Sequence, residues 1–250
     1  MMSSNIVIVL TILFSVGFPV GLMIWWKKRT GEKILSFAVG ALGFFVFAMV
    51  LENILHQFCL VSDNALSRAI LASPVLYTLY AAFAAGIFEE TARLFCFKVL
   101  LKKHKKSDCA VAYGIGHGGI EVVIIVGMSY FVLLLAVLGV DFGSEATNAQ
   151  MIATAGSITL PAAGVAMFER LSAMMIQVGL SMLVFASARE KKYFYLYPLA
   201  ILIHAMIDAP AAMYQYQVLH SLVVVEGIAF LMGIVTLTLG RNMTRRYENG

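Results

Sequence analysis

From Ile6 to Trp26 the chain reads IVIVLTILFSVGFPVGLMIWW, and Lys27, Lys28 and Arg29 follow at once. A helix rises about 1.5 Å per residue, so an uncharged run of this length crosses a hydrocarbon core of about 30 Å. It does not read as a signal peptide: Met1–Asn5 carry no positive charge, and the basic cluster follows the apolar run instead of preceding it. The rest of the chain repeats the pattern. Of 250 residues, 61% are hydrophobic and 13% charged, against roughly 45–50% and about 25% in a soluble domain. Six further stretches qualify, near Ile34–Leu55, Pro74–Leu101, Asp108–Gly139, Val165–Ala188, Tyr193–Tyr214 and Leu222–Leu239. The expectation is an all-α, polytopic membrane helix bundle of about seven transmembrane helices, one domain over residues 1–250, set in the lipid bilayer of a cell membrane. Disordered, collagenous, disulfide-framework and ordinary soluble classes are excluded.

The basic residues predict the orientation. Fifteen of the 18 fall on alternate connections: Lys27, Lys28, Arg29 and Lys33; Lys98, Lys102, Lys103, Lys105 and Lys106; Arg189, Lys191 and Lys192; Arg241, Arg245 and Arg246. Cytoplasmic loops collect Lys and Arg, so the amino terminus is expected outside and the carboxy terminus in the cytoplasm. The net charge of +4 is then a topological signal, and nucleic acid is not an expected partner. The connection Val140–Gly164 reads as an outer loop with a short surface helix. Cys59, Cys96 and Cys109 are odd in number and lack CxxC spacing, so neither a disulfide framework nor a thiolate metal motif is indicated.

Ionisable residues inside a span cost roughly 2.5–3.5 kcal/mol each on insertion scales and mark functional interiors. This chain places Glu52, Glu89, Glu90, Arg93, His117, Glu121, Glu169, Arg170, His204, Asp208 and Glu226 in its apolar stretches. Glu89 and Arg93, His117 and Glu121, and His204 and Asp208 are each four apart, on one helix face. Counted from the basic ends, Glu89, His117 and His204 lie about 14–20 Å deep, with Glu121 and Asp208 about one turn further out. Three helices thus present acid and imidazole in one layer. Glu52 with His56, and Glu169 with Arg170, are expected at the outer rim in solvated or capping roles. Glu226 is open between the site and a neighbour. The glycines of Gly114-Ile115-Gly116-His117-Gly118-Gly119 are expected to thin the helix around His117 and give water or a substrate backbone room.

A carboxylate in an apolar setting beside imidazoles can activate water and stabilise an oxyanion, the parts that peptide hydrolysis needs. The same donor types, His117, His204 and a carboxylate from Glu89, Glu121 or Asp208, suit a divalent metal such as zinc, although no HExxH is present. GxSxG and GxGD motifs are absent. A proton- or ion-coupled transporter could use the same cluster, but no matching halves appear. A retinal receptor would need a lysine in Leu222–Leu239, which has none.

Phe88-Glu89-Glu90-Thr91-Ala92-Arg93, Gly116-His117-Gly118-Gly119-Ile120-Glu121 and His204-Ala205-Met206-Ile207-Asp208, in that order on three helices, resemble the YhfC-type intramembrane protease family, related to the CAAX-protease and bacteriocin-processing group and to PrsW-type proteases. The resemblance implies a bacterial plasma-membrane endopeptidase acting on a membrane protein or peptide, by a glutamate-type or metal-dependent mechanism. It implies Glu89 as general base, Glu90 and Arg93 as its support, His117 at the water or scissile carbonyl, and His204 with Asp208 at the oxyanion. The CAAX-type pattern is EExxxR with a final HxxxN. Here the spacing is EExxR, the final residue is Asp208, and Glu121 is additional.

Overall fold

The computed structural model describes residues 3–249. Met1, Met2 and Gly250, the ends of the expected single domain, lie outside the described residues. Among those described, every regular element is helical and no strand occurs. The apolar runs become α1 (Ser4–Thr30), α2 (Ile34–Val61), α3 (Ala65–Ala72), α4 (Pro74–Leu100), α5 (Asp108–Val137), α6 (Glu145–Ser157), α7 (Leu160–Arg189), α8 (Leu196–Gln215) and α9 (Leu222–Asn249). The surface helix expected between Val140 and Gly164 is α6.

Among the described residues six helices are long and apolar enough to cross a membrane, and counting the bent pair α3 and α4, which meet at 108°, as one span gives seven. The bend has a local cause. Proline lacks an N–H and forces the residue before it out of helical geometry, and Ser73 is extended at φ −125°, ψ 118°, just before Pro74. Ser73 Oγ then accepts from the Leu76 N–H, starting α4 afresh. α3 was not expected from the sequence. Its start is a reciprocal cap, with the Ser67 N–H donating to Asn64 Oδ1 and the Asn64 N–H to Ser67 Oγ. α4 falls short of the other spans in apolarity because Glu89 and Glu90 sit inside it.

α7 is the central helix. Of its most apolar window 78% is buried, against 17–33% in the other five spans that qualify alone. It packs on α9, α5, α8, α4 and α1. Buried hydroxyls along the bundle bond back to their own helix, as Ser181 Oγ does to Gln177 O and Thr11 Oγ1 to Val7 O. Hydrocarbon offers such hydroxyls no hydrogen-bond partner, so the helix's own carbonyls supply one.

The glycine-rich segment does something other than expected. His117 is fully buried, and the glycines around it are contact points. A Cβ on Gly116 would stand 1.9 Å from Phe37 O, one on Gly40 2.1 Å from Tyr113 O, and one on Gly114 2.6 Å from Val178 Cα. The absent side chains let α2 and α7 close on α5, the small-residue packing of membrane helices. The room that exists beside Gly116 and Gly119 is an apolar cavity between α1, α2 and α5, lined by Val16, Pro19, Phe37 and Ile120 among others. We expect Gly116→Ala and Gly40→Ala to destabilise the detergent-solubilised chain by about 1–3 kcal/mol through overpacking. Gly164→Ala, where a Cβ meets open space, should stay within about 0.5 kcal/mol. Thermal unfolding of the three variants checks this.

Candidate active site

Arg93, four residues after Glu89 and three after Glu90, meets both carboxylates along one side of α4. Arg93 is completely buried. It donates to Glu90 Oε1 at 2.6 Å and lies 3.5 Å from Glu89 Oε2. It also donates to Gln177 Oε1 and, through Nε at 3.2 Å, to Ser181 Oγ on α7. With its carbonyl turned to the guanidinium, Gln177 points its amide at two carboxylates: Nε2 donates to Glu89 Oε2 at 3.1 Å and to Glu121 Oε2 at 2.6 Å.

α5 and α8 bring the imidazoles. His117 Nε2 donates to Glu89 Oε2 at 2.9 Å, and its Nδ1 is buried with no partner among the described residues. His204 Nδ1 donates to Glu90 Oε1 at 2.7 Å. That contact leaves Nε2 facing Glu89 Oε2 at 4.0 Å and Asp208 Oδ2 at 3.4 Å. Glu89 Oε1 makes no hydrogen bond among the described residues. A cavity of about 190 Å³ opens here, lined by Glu89, Glu121, Arg170, Gln177, His204 and Asp208, with Glu226 further along its wall. All seven residues expected at the site, Glu89, Glu90, Arg93, His117, Glu121, His204 and Asp208, are brought together in one contiguous network.

Two rim expectations are corrected. Arg170 is buried and donates to Glu121 Oε1 at 2.9 Å, while its other terminal nitrogen reaches Glu169. A guanidinium at this depth needs a carboxylate, and Glu121 supplies it from α5. Glu52 is also buried, 3.3 Å from His56 Nε2, and His56 Nδ1 meets Tyr80 Oη at 2.7 Å. Helix α2 runs on to Val61, so Glu52 lies inside the span instead of at its end. Glu226 resolves toward the cavity, with Oε2 buried and without a partner among the described residues. Gln177 and Ser181 were missed altogether. Their signal was faint: uncharged polar residues in α7, four apart, facing the helix that carries Arg93.

A family model described as YhfC intramembrane metalloprotease matches residues 12–229, most of the chain. The chain belongs to that family. A Bacillus subtilis (strain 168) relative, "Uncharacterized membrane protein YhfC", is 30% identical over 253 residues, which cover 95% of this chain and 96% of the relative. No solved structure matches.

The YhfC family description implies a metal, and the central donors can be tested for it. By type they suit zinc, being two imidazoles and three carboxylates, but among the described residues no three of them bring ligand atoms within 4.8 Å of one another, so an ion there would need these side chains to close on it. His204 is oriented by Glu90 through its other nitrogen, as metal-binding histidines are oriented by carboxylates. Glu89 Oε2 lies 2.9 Å from His117 Nε2 and 4.0 Å from His204 Nε2. We expect Arg93→Met to cost about 3–5 kcal/mol, because it strands two buried glutamates. Arg93→Lys should recover part of that loss, and thermal unfolding in detergent reads both.

Proposed function

We propose that this chain is an intramembrane endopeptidase in which Glu89 is the general base, with His117 and His204 beside it. The observation that carries the reading is the division of labour between the oxygens of Glu89. Oε2 is held by His117 and Gln177, whereas Oε1 makes no hydrogen bond among the described residues and Glu89 lines the polar cavity. Membership of a family described as intramembrane metalloproteases supports it.

In this reading Glu89 Oε1 takes a proton from a water in the cavity. The resulting hydroxide attacks the scissile carbonyl carbon. His204, fixed through Nδ1 by Glu90, turns Nε2–H toward the developing oxyanion, where a pre-oriented donor is worth most. Glu89 returns its proton to the departing amine as the C–N bond breaks, so water and peptide become a carboxylate and an amine. His117 and Gln177 keep Glu89 in one orientation through the cycle. Arg93 balances Glu89 and Glu90, and Arg170 balances Glu121. A divalent ion bound here would draw on His117, His204 and a carboxylate from Glu89, Glu121 or Asp208, and would supply Lewis-acid polarisation of the carbonyl. The substrate is a membrane protein or peptide that reaches the cavity from the bilayer or its edge. With the basic loops in the cytoplasm, the cavity side carrying Glu226 faces outward.

A positioned general base contributes about 10²–10⁴-fold to rate. Glu89→Gln should therefore lower kcat by at least that factor while leaving thermal unfolding close to that of the parent. His204→Ala and His117→Ala should also impair cleavage. Peptide cleavage by the purified variants is the measurement, and wild-type rates in all three would refute the assignment.

A further inference from the structure

We propose a metal site separate from the central cluster, at the basic end of the bundle, built from Glu32, His104 and Cys109 and suited to a zinc-like divalent ion. One ligand atom from each lies within 4.8 Å of the others, and this is the one such trio of His, Cys, Asp and Glu donors among the described residues. The three come from separate segments: Glu32 from the turn between α1 and α2, His104 from the connection between α4 and α5, and Cys109 from the first turn of α5. None of these residues takes part in the network around Glu89.

The donors are held in place by their surroundings. Glu32 Oε1 lies 3.2 Å from His104 Nδ1 and accepts from Ser36 Oγ at 2.8 Å. The same Ser36 hydroxyl is 3.6 Å from Cys109 Sγ, so one side chain orients two donors. The backbone carrying His104 is clamped by Arg189, which donates to the carbonyls of His104, Leu101 and Phe97 at 2.7–3.1 Å. Cys109 is fully buried and has no disulfide. A sulfur, a nitrogen and an oxygen donor on three fixed segments is the mixed set that borderline-soft Zn²⁺ prefers, and three protein ligands leave a fourth position open. An adjoining cavity of about 370 Å³, lined by Glu32, His104 and Asp108, supplies that opening.

Lys33, Lys103 and Lys106 line the same cavity, and their charge opposes a bare cation. The ion therefore needs both anionic donors, the Glu32 carboxylate and the Cys109 thiolate. On binding, the Cys109 S–H proton leaves to solvent and a sulfur–metal bond replaces it, with no redox change. The ion would tie the α1–α2 turn and the α4–α5 connection to the start of α5, the helix that carries His117.

Cobalt(II) titration of the full detergent-purified chain tests this without reference to activity. The residues lining the central cavity include no cysteine, so thiolate-to-cobalt charge-transfer absorption in the near ultraviolet reports a cysteine site alone. We expect that band in the parent, in Cys59→Ser and in Cys96→Ser, its displacement by Zn²⁺, and its loss in Cys109→Ser. His104→Ala and Glu32→Gln, changes at partly exposed side chains that the fold should tolerate, should weaken cobalt affinity at least about tenfold. A parent chain without the band, a band that survives Cys109→Ser, or unchanged affinity in both His104→Ala and Glu32→Gln would overturn the proposal.

Discussion

A guanidinium with no exposed surface, Arg93 in the middle of a span, is the constraint on which the rest of the interior depends. A buried charge has to be matched by opposite charge and by hydrogen bonds to each of its faces. Arg93 finds Glu89 and Glu90 on its own helix, but these cover only part of it. Gln177 and Ser181 on α7 complete the set. Because the carbonyl of Gln177 is committed to Arg93, its amide must face outward to Glu89 and Glu121, and Glu121 in turn balances Arg170. One buried cation thus fixes a chain of alternating groups through α4, α7 and α5. His204 attaches α8 to it through Glu90. Most of these links cross from one helix to another, which ties the four helices to one another.

The close fit of backbone to backbone makes this possible. Gly116 against Phe37, Gly114 against Val178, Gly86 against Ile201 and Gly179 against Thr236 are all sites where a Cβ would meet main chain at 3.0 Å or less. These contacts draw α2 and α7 onto α5, α8 onto α4, and α9 onto α7. They leave the site with a small polar cavity in place of a wide channel, so that few waters share the space with Glu89, His204 and Asp208.

Much of this was legible in the sequence, for a physical reason. Charge inside an apolar run is costly enough to stand out, and i, i+4 spacing fixes which charges share a face. That logic places Glu89, His117, His204 and their companions in one layer before any helix is packed. It fails where the answer depends on a neighbouring helix. Arg170 looks like a rim residue when depth is counted along α7 alone; it is buried because Glu121 meets it from α5. Glu52 looks solvated until α2 is seen to run on to Val61. Gln177 carries no charge, so nothing in composition marks it, although it joins three of the site's charged groups. The glycines beside His117 were legible as a need for space, but not for whose benefit: Gly114 and Gly116 take up the backbones of α7 and α2.

The proposed activity is hydrolysis within the membrane, supported by membership of a family described as intramembrane metalloproteases, and the location of the cut is the most direct test of that proposal. Purified chain would be reconstituted into liposomes with single-span membrane peptides, in water enriched in oxygen-18, and the products sequenced by mass spectrometry. We expect new termini inside or at the edge of the apolar span, heavy oxygen in the new carboxylate, and neither in the Glu89→Gln protein. Intact peptides, with protons or ions crossing the same bilayer in a Glu89-dependent manner, would contradict it.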